Sequence, residues 1–410
     1  MPFTNEQLKA INDQNKDILV SASAGSGKTT VLVQRVLKKV LNGTGVDELL
    51  VVTFTKAAAE EMKERIKREL RKELQKNPKK RNYLRRQLNL VDTANISTID
   101  SFCLDVIRRF YYTVDLDPSF SILTDETQTE ILKERALHDI EGEYLENDNQ
   151  DFISFYDNFA GDRDVDSARD LLLDLYNFAM AKPNYREWLR SLSDSYDIKD
   201  NIVDSALWQN KIKPYLLSIL IFYQQKADQL LNSASIETKE LEKIRSWLLN
   251  CKESLDRLIK ADESYNILRT LIKAFSFNTI FQKGKNWDED LVELKEEAAS
   301  FKSDFKEQIM KLYAAFFVVE ESGQIAEMKK GYELMKVISN VEISLIDHFN
   351  ELKREENMID YNDMEQLAYQ ILSQDTSNSH LAREFYQNKF KEILIDEYQD
   401  INALQESIIQ

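Results

Sequence analysis

The stretch "ASAGSGKT" (22–29) limits the possible folds of this chain more than any other feature. The apolar run "DILVSA" precedes it and the amphipathic run "GKTTVLVQRVLKKVL" follows it, which is the strand, loop and helix order of a phosphate-binding loop. Gly25 and Gly27 let the backbone turn tightly and aim N–H groups at phosphate oxygens, where a side chain would block the approach. Ala22, Ser23, Ala24, Ser26 and Thr30 complete the cradle, Lys28 can reach the β- and γ-phosphates, and the Thr29 hydroxyl can hold Mg²⁺. A bare Gly-Lys-Thr at a helix start arises often by chance. A strand before it and a helix after it make chance a poor account.

A loop of this kind calls for a parallel sheet, and the first 116 residues alternate accordingly. "TNEQLKAIN" reads as a capped short helix, "DILVSA" as a buried strand, and "ELLVVTF" as a second apolar strand. "KAAAEEMKERIKREL" reads as a helix, "ANISTI" as a short strand and "DSFCLDVIRRFYY" as a helix. From about residue 117 the texture becomes long helical periodicity rich in Leu, Glu, Lys and aromatics, as in "ELEKIRSWLLNCKESLDRLIKA". Aromatics at helical spacing there are expected in the core rather than as base-stacking platforms. After "MIDYNDMEQLAYQIL", the run "KEILIDEYQD" predicts a return to a buried parallel strand. The expected class is α/β: a phosphate-loop parallel-sheet domain (1–116 and 356–410) interrupted by a large all-α insert (117–355).

The second half of the site follows from "ILID" and Glu397. An acidic residue at the end of an apolar strand points into the crevice where open α/β sheets bind ligands. Asp396 would hold Mg²⁺, and Glu397 would act as general base toward an attacking water. Acidic residues also begin helices for dipole reasons, so the pair gains its meaning from the loop.

The net charge of −17 argues against a nucleic-acid partner until its distribution is read. Residues 1–116 carry 21 Lys+Arg against 14 Asp+Glu, a balance of +7, and the remainder is −24. The densest stretch is 63–86; its first half can pair Glu with Lys or Arg along one helix, whereas Lys76 to Arg86 has no acidic partners and is the better phosphate-contacting candidate. Two cysteines and three scattered histidines suggest neither a disulfide framework nor a structural metal. No signal-peptide layout and no membrane-length apolar run is present, so a cytoplasmic location is expected.

In this order, "FTNEQLKAI", "ASAGSGKT", "VVTFTKAAAEEMKERI", "ISTIDSFC" and "LIDEYQD" resemble the motifs of superfamily-one helicases of the UvrD, PcrA and RecB type. "RRFYYTVDLDPSFSIL" and "MIDYNDMEQLAYQIL" look most like the AddA (RexA) subunits of bacterial AddAB helicase–nucleases. The resemblance implies a RecA-like domain with an inserted helical subdomain, which would explain the 366 residues between Thr29 and Asp396. It implies ATP and Mg²⁺ as cofactors, single-stranded and double-stranded DNA ends as substrate, and an AddB (RexB)-like partner subunit. Gln7 would recognise the adenine edge, though by itself it reads as a surface helix residue. Thr53, Phe54, Thr55, Lys56, Thr98 and Ser101 would contact single-stranded DNA, and Gln399 would connect nucleotide state to the DNA-binding parts. The family usually carries His where this chain has Asp100, and a carboxylate beside phosphates is unfavourable.

The family continues beyond the DEYQD motif with a second RecA-like domain whose arginines reach the γ-phosphate. The 410 residues are therefore expected to form the N-terminal part of a motor and to hydrolyse ATP poorly alone, since such an arginine contributes about 10³–10⁵ in rate in comparable systems. "INALQESIIQ" stops within an uncapped amphipathic helix, which reads as truncation. Two readings follow: part of an ATP-driven DNA helicase acting in double-strand break repair, or a binding module that holds nucleotide, DNA or a partner without turnover. A metabolic kinase is disfavoured, because no acceptor site is evident and the DNA-type motifs would be left without a role.

Overall fold

The computed structural model describes residues 3–14, 16–23, 25–159, 166–233, 239–261, 264–275, 289–373 and 377–410. It is mostly helical with a small parallel sheet, and it divides into two compact units, Met1–Trp188 with Glu342–Gln410 and Leu189–Val341.

The chain opens with α1 (Asn5–Asn12), which starts at Thr4: its hydroxyl accepts from the Gln7 amide while the Gln7 side chain accepts from the Thr4 amide. Helix α2 (Lys28–Leu41) leaves the Gly-rich loop, and α3 (Lys56–Lys76) begins at Thr55, which accepts from the Ala58 amide. Next come α4 (Arg81–Leu90), α5 (Ile99–Phe110), α6 (Glu126–Glu146), α7 (Gln150–Phe159), α8 (Asp166–Met180) and α9 (Tyr185–Ser191). Helices α10 (Lys213–Ser233), α11 (Lys239–Lys260), α12 (Tyr265–Lys273), α13 (Glu289–Leu312) and α14 (Glu321–Glu355) fill the middle of the chain. Helices α15 (Tyr361–Ser373), α16 (Ser377–Lys389) and α17 (Ala403–Ile409) end it.

The strands are β1 (Leu49–Thr53), β2 (Ile96–Thr98), β3 (Ser121–Ile122), β4 (Met358–Ile359) and β5 (Glu392–Ile395). Strands β2, β1 and β5 form one parallel sheet in that order, with Val51 opposite Ile96 and Leu394, while β3 and β4 form a separate parallel pair. Strand β1 is buried on both faces and its side chains alternate between two apolar layers. Leu49 and Val51 pack with Val36, Val40, Met62, Ile66 and Leu84 from α2, α3 and α4. Leu50 and Val52 pack on the other face with Phe102 and Val106 of α5, and with α15, α16 and α17.

Two strand expectations are corrected. Residues 17–22 of "DILVSA" are not in a strand: among the described residues they have no ladder partner, and Ile18, Leu19 and Val20 are exposed, Leu19 at 77%. An apolar run becomes a strand only where a neighbouring edge accepts its backbone hydrogen bonds. Strand β5 is present but lies at the sheet edge, with Leu394 buried and Ile393 exposed.

The compact units do not part at 117 and 355. Helices α6, α7 and α8 belong to the unit that holds the sheet. Helix α6 is tied to the C-terminal half of the 35-residue α14 by Tyr144–Ser344 at 3.2 Å and Asp139–His348 at 3.1 Å, and Tyr176 of α8 meets its Phe349 edge to face. The turn after α8 is held by Gln366 Nε2, which donates to the carbonyls of Met180 and Lys182 at 2.8 and 3.0 Å. Helical periodicity marks a helix without saying which core it will join.

Among the described residues the second unit is formed mainly of helices around an aromatic-rich core that includes Trp208, Tyr223, Trp247, Tyr265, Phe301, Phe305 and Phe317. Tyr265 and Trp208 meet edge to face, and the Tyr265 hydroxyl donates to the carbonyls of Phe316 and Val319 at 2.8 Å each. These aromatics are core, as helical spacing predicted, while Tyr215 and Phe222 are exposed. Among the described residues, no helix is long and apolar enough to cross a membrane.

Candidate functional site

The Gly-rich loop has the backbone its glycines predict. Gly25 and Gly27 sit at φ 78° and 89°, the left-handed region that a side chain disfavours. An added Cβ at Gly25 would meet nothing within 4 Å, so its requirement is conformational. Gly27 is the N-cap of α2 with no side-chain cap, and no acidic residue occupies the first turn. The first amides of α2 are thus left for an anion at the positive end of the helix. Ser26 N closes the loop on the Ser23 carbonyl at 3.2 Å, and Gln7 Nε2 donates to the Ser26 carbonyl at 3.0 Å, so α1 is pinned to the loop. Ala22, Ser23, Ser26 and Thr30 are exposed, and Thr29 is half-buried. Ala24 lies outside the described residues.

The acidic pair stands across from this helix start. Lys28 Nζ lies 3.9 Å from Glu397 Oε2, although 368 residues intervene in the chain. The Asp396 amide donates to the Val52 carbonyl at 2.9 Å, which ties the end of β5 to β1. Burial, and then the neighbouring Glu397 charge, push the Asp396 carboxyl above the usual carboxylate range, opposed by Lys28 and Arg65. A partly buried carboxyl beside a second carboxylate gains from a cation in front of it. Glu397 itself takes a left-handed backbone, φ 56°, a strained conformation for a non-glycine residue and frequent at functional turns. Gln399 Nε2 donates to Glu397 Oε2 at 2.5 Å and reaches Asp400 at 3.3 Å, while the Tyr398 hydroxyl bonds Glu406.

A link behind the loop was not legible in the sequence. Buried Arg35 of α2 bonds Glu392 of β5 and donates Nη1 to the Ala10 carbonyl at 2.6 Å; Lys39 Nζ lies 2.5 Å from the other Glu392 oxygen. These contacts hold α1, α2 and β5 together, and so hold the loop near Asp396. The available signal was an arginine on the apolar face of "VLVQRVLKKV".

The predicted DNA segments differ among themselves. Phe54 is 69% exposed, and Thr55 and Lys56 are exposed beside it. Thr53 is buried with its hydroxyl donating to the Thr55 carbonyl at 3.1 Å, and Thr98 is buried as the N-cap of α5, bonded to the Ser101 hydroxyl at 2.9 Å. Asp100 has a protein partner: it is half-buried, burial raises its carboxyl above the usual range, and it interacts with Glu365 on α15. The basic stretch divides as predicted except at Lys76, expected to lack an acidic partner, which pairs with Glu73 one turn back at 2.9 Å. Along α3, Lys63, Arg65, Lys67, Lys72 and Lys76 pair with glutamates three or four residues before them, whereas Lys79, Arg81, Arg85 and Arg86 are exposed with no ion pair among the described residues.

Among the described residues there is no cluster of three or more His, Cys, Asp or Glu suited to a metal. Thr29 and Asp396 offer one hydroxyl and one carboxyl, a set that fits Mg²⁺, which keeps several waters and takes further oxygens from phosphates.

Residues 3–410 match the UvrD/REP helicase N-terminal domain family. The chain is 60% identical over 411 residues to a Lactobacillus acidophilus protein named as the A-type subunit of an ATP-dependent helicase/nuclease, covering 100% of this chain and 34% of that protein. It is 59% identical to the protein of the same name from Lactobacillus helveticus, with the same coverage. With the Enterococcus faecalis protein of that name it shares 36% over 418 residues, 99% of this chain and 32% of the relative. The chain thus spans about a third of the length of the curated relatives it matches. With its Gly-rich loop and acidic strand end in place, this chain belongs to the UvrD/REP helicase N-terminal domain family.

Proposed function

We propose that this chain is the ATP-binding, single-stranded-DNA-contacting part of an ATP-dependent DNA helicase and translocase of the AddA type, built on a RecA-like domain with a helical insert. The observation that carries the reading is the meeting of Lys28, at the uncapped start of α2, with Glu397 at the end of β5. Similarity to proteins named for an ATP-dependent helicase/nuclease supports the choice among phosphate-loop functions.

In this reading the amides of Gly25 to Thr29 and the Lys28 ammonium hold the nucleotide phosphates. Thr29 and Asp396 hold Mg²⁺, which would supply charge neutralisation on the phosphate oxygens. Glu397 accepts the proton of the attacking water, and Gln399, already bonded to Glu397, senses whether that carboxylate is engaged. Gln7, bonded to the Ser26 carbonyl, would meet the base with the amide proton it has left to donate. Exposed Phe54 provides a face on which a base can stack, and Lys56 a phosphate contact. In the whole protein, acting on DNA ends in double-strand break repair with an AddB-like partner in the cytoplasm, this part would supply the phosphate loop, the metal carboxylate, the base and half of the DNA track.

The test is ATP turnover with and without single-stranded DNA, on residues 1–410 and on the longer protein, each beside Lys28→Ala. DNA-stimulated turnover that falls by about 10²-fold or more in Lys28→Ala supports the proposal. Turnover that ignores Lys28 overturns it, and nucleotide and DNA binding with no turnover in either length favours the binding-module reading.

A further inference from the structure

Three residues distant in sequence converge on one buried side chain that the site described above does not use. Glu365 is only 8% exposed, on the face of α15 that carries Met364 and Ala368 into the core. Its Oε1 accepts from Gln405 Nε2 at 2.6 Å and its Oε2 from Asn402 Nδ2 at 3.4 Å. Those two residues make the capping box of α17: Gln405 N donates to Asn402 Oδ1 at 2.8 Å, and Asn402 N to Gln405 Oε1 at 3.3 Å. Each amide side chain therefore spends one end on the helix start and the other on Glu365. Glu365 also interacts with Asp100, in the first turn of α5, two residues after Thr98 and one before Ser101.

We propose that Glu365 is a positioning residue that joins the Thr98–Ser101 segment to the helix start following the Glu397–Gln399 turn, so that the two move as one body. The proposal rests on the helicase reading for what the coupling carries, though not for the coupling itself. The chemistry favours a carboxylic acid at this position. Two amide donors need two acceptor oxygens, and two carboxyls bond each other only when one of them carries a proton. Apolar packing completes the body: Phe102 and Cys103 of α5, Ala368 of α15, and Leu404 and Ile408 of α17 share one core. The Leu404 amide also donates to the Ala181 carbonyl at 3.1 Å, beside the carbonyls held by Gln366.

The titratable and charged groups facing the pair are Cys103 on α5 and Lys56 at the start of α3; α17 presents the two neutral amides. Burial raises both carboxyls, which favours a proton on the pair. Raising the pH removes that proton, sets two negative charges against each other and weakens the link.

The test compares Glu365→Ala and Glu365→Gln with the unaltered protein by two measurements. Hydrogen exchange on residues 1–410 reads the link directly. Glu365→Ala is expected to raise exchange together at 98–103 and 402–408, and Glu365→Gln, which keeps one of the two acceptor oxygens and can donate to Asp100 without a shared proton, to raise it less and to remove the pH dependence. In the longer protein, Glu365→Ala is expected to lower stimulation of ATP turnover by single-stranded DNA on the order of 10-fold while turnover without DNA is unchanged. Glu365→Gln is expected to keep the stimulation. Unchanged exchange at either segment in Glu365→Ala overturns the proposal. So does a parallel fall of both turnover rates and of the melting temperature in the two variants, which would mark a merely structural residue. Absence of DNA stimulation in the unaltered longer protein would instead overturn the helicase reading, and the exchange measurement would still decide the link.

Discussion

The unit that holds the sheet and the unit formed by Leu189–Val341 solve the same problem by different means. The first buries polar groups among its apolar layers: Lys353, 1% exposed, bonds Asp360 at 3.0 Å and Asp363 at 2.6 Å and lies 4.1 Å from the centre of the Phe349 ring. Glu342 is fully buried with no hydrogen bond to either oxygen, and Lys133 is its opposing charge. The second unit fills its described core with Trp, Tyr, Phe and Leu, and polar Tyr265 directs its hydroxyl at two carbonyls. Buried ion pairs stabilise weakly but penalise misplacement, whereas apolar packing stabilises without fixing one arrangement. The difference suits a sheet-bearing unit that must hold a loop, a strand end and two helix starts in register.

Lys353→Met leaves Asp360 and Asp363 buried without their cation and is expected to cost about 3–5 kcal/mol, with exchange protection lost in the sheet-bearing unit. A loss confined to the surface near Met358 would show that the ion cluster does not organise that unit. Phe305→Ala is expected to cost up to about 3–5 kcal/mol through the cavity it leaves, with protection lost within 189–341. Protection lost equally in both units would mean that they are not independent, and the contrast drawn above would fail.

Glu342 sharpens the contrast through pH. Burial pushes its carboxyl up to about 8 from the ordinary 4.5, so the folded chain keeps a proton that the unfolded chain releases. The stability tied to this proton is fully present below about pH 4.5 and is lost as pH rises to about 8. The slope between those values is at most roughly 1.4 kcal/mol per pH unit, and relaxation around the site reduces it. Glu342→Gln is expected to flatten that slope and raise the melting temperature at pH 9; an unchanged pH profile would refute the assignment. At the small end, Lys63→Ala removes a pair with the exposed Glu60 and is expected to change stability by less than about 1 kcal/mol, measured by denaturant midpoint.

Much of the site was legible because its parts are local. Gly25 and Gly27 announce a backbone that only glycine adopts readily, and Thr4 announces a helix start, since a capping hydroxyl reaches only two or three residues along the chain; Thr55 and Thr98, read as DNA contacts, also cap helices. The alternation of β1 between two layers follows from the period of a strand. Glu365 left a fainter mark, a carboxyl on the apolar stripe of "MEQLAYQIL", which flags a partner without naming it. Asp100 read as an unfavourable charge near DNA until Glu365 supplied that partner.

By itself, then, the sequence determined the loop conformation, the helix starts, the central strand and the acidic turn, all set by interactions within a few residues. Tertiary structure alone decided that Lys28 meets Glu397, that Arg35 bridges Ala10 and Glu392, that "DILV" finds no ladder among the described residues, and that helices between residues 126 and 180 join the sheet-bearing unit. The reason is physical. Period and propensity fix which face of an element is apolar, but not which of several apolar surfaces will cover it, and ion pairs between elements form only once that choice has been made.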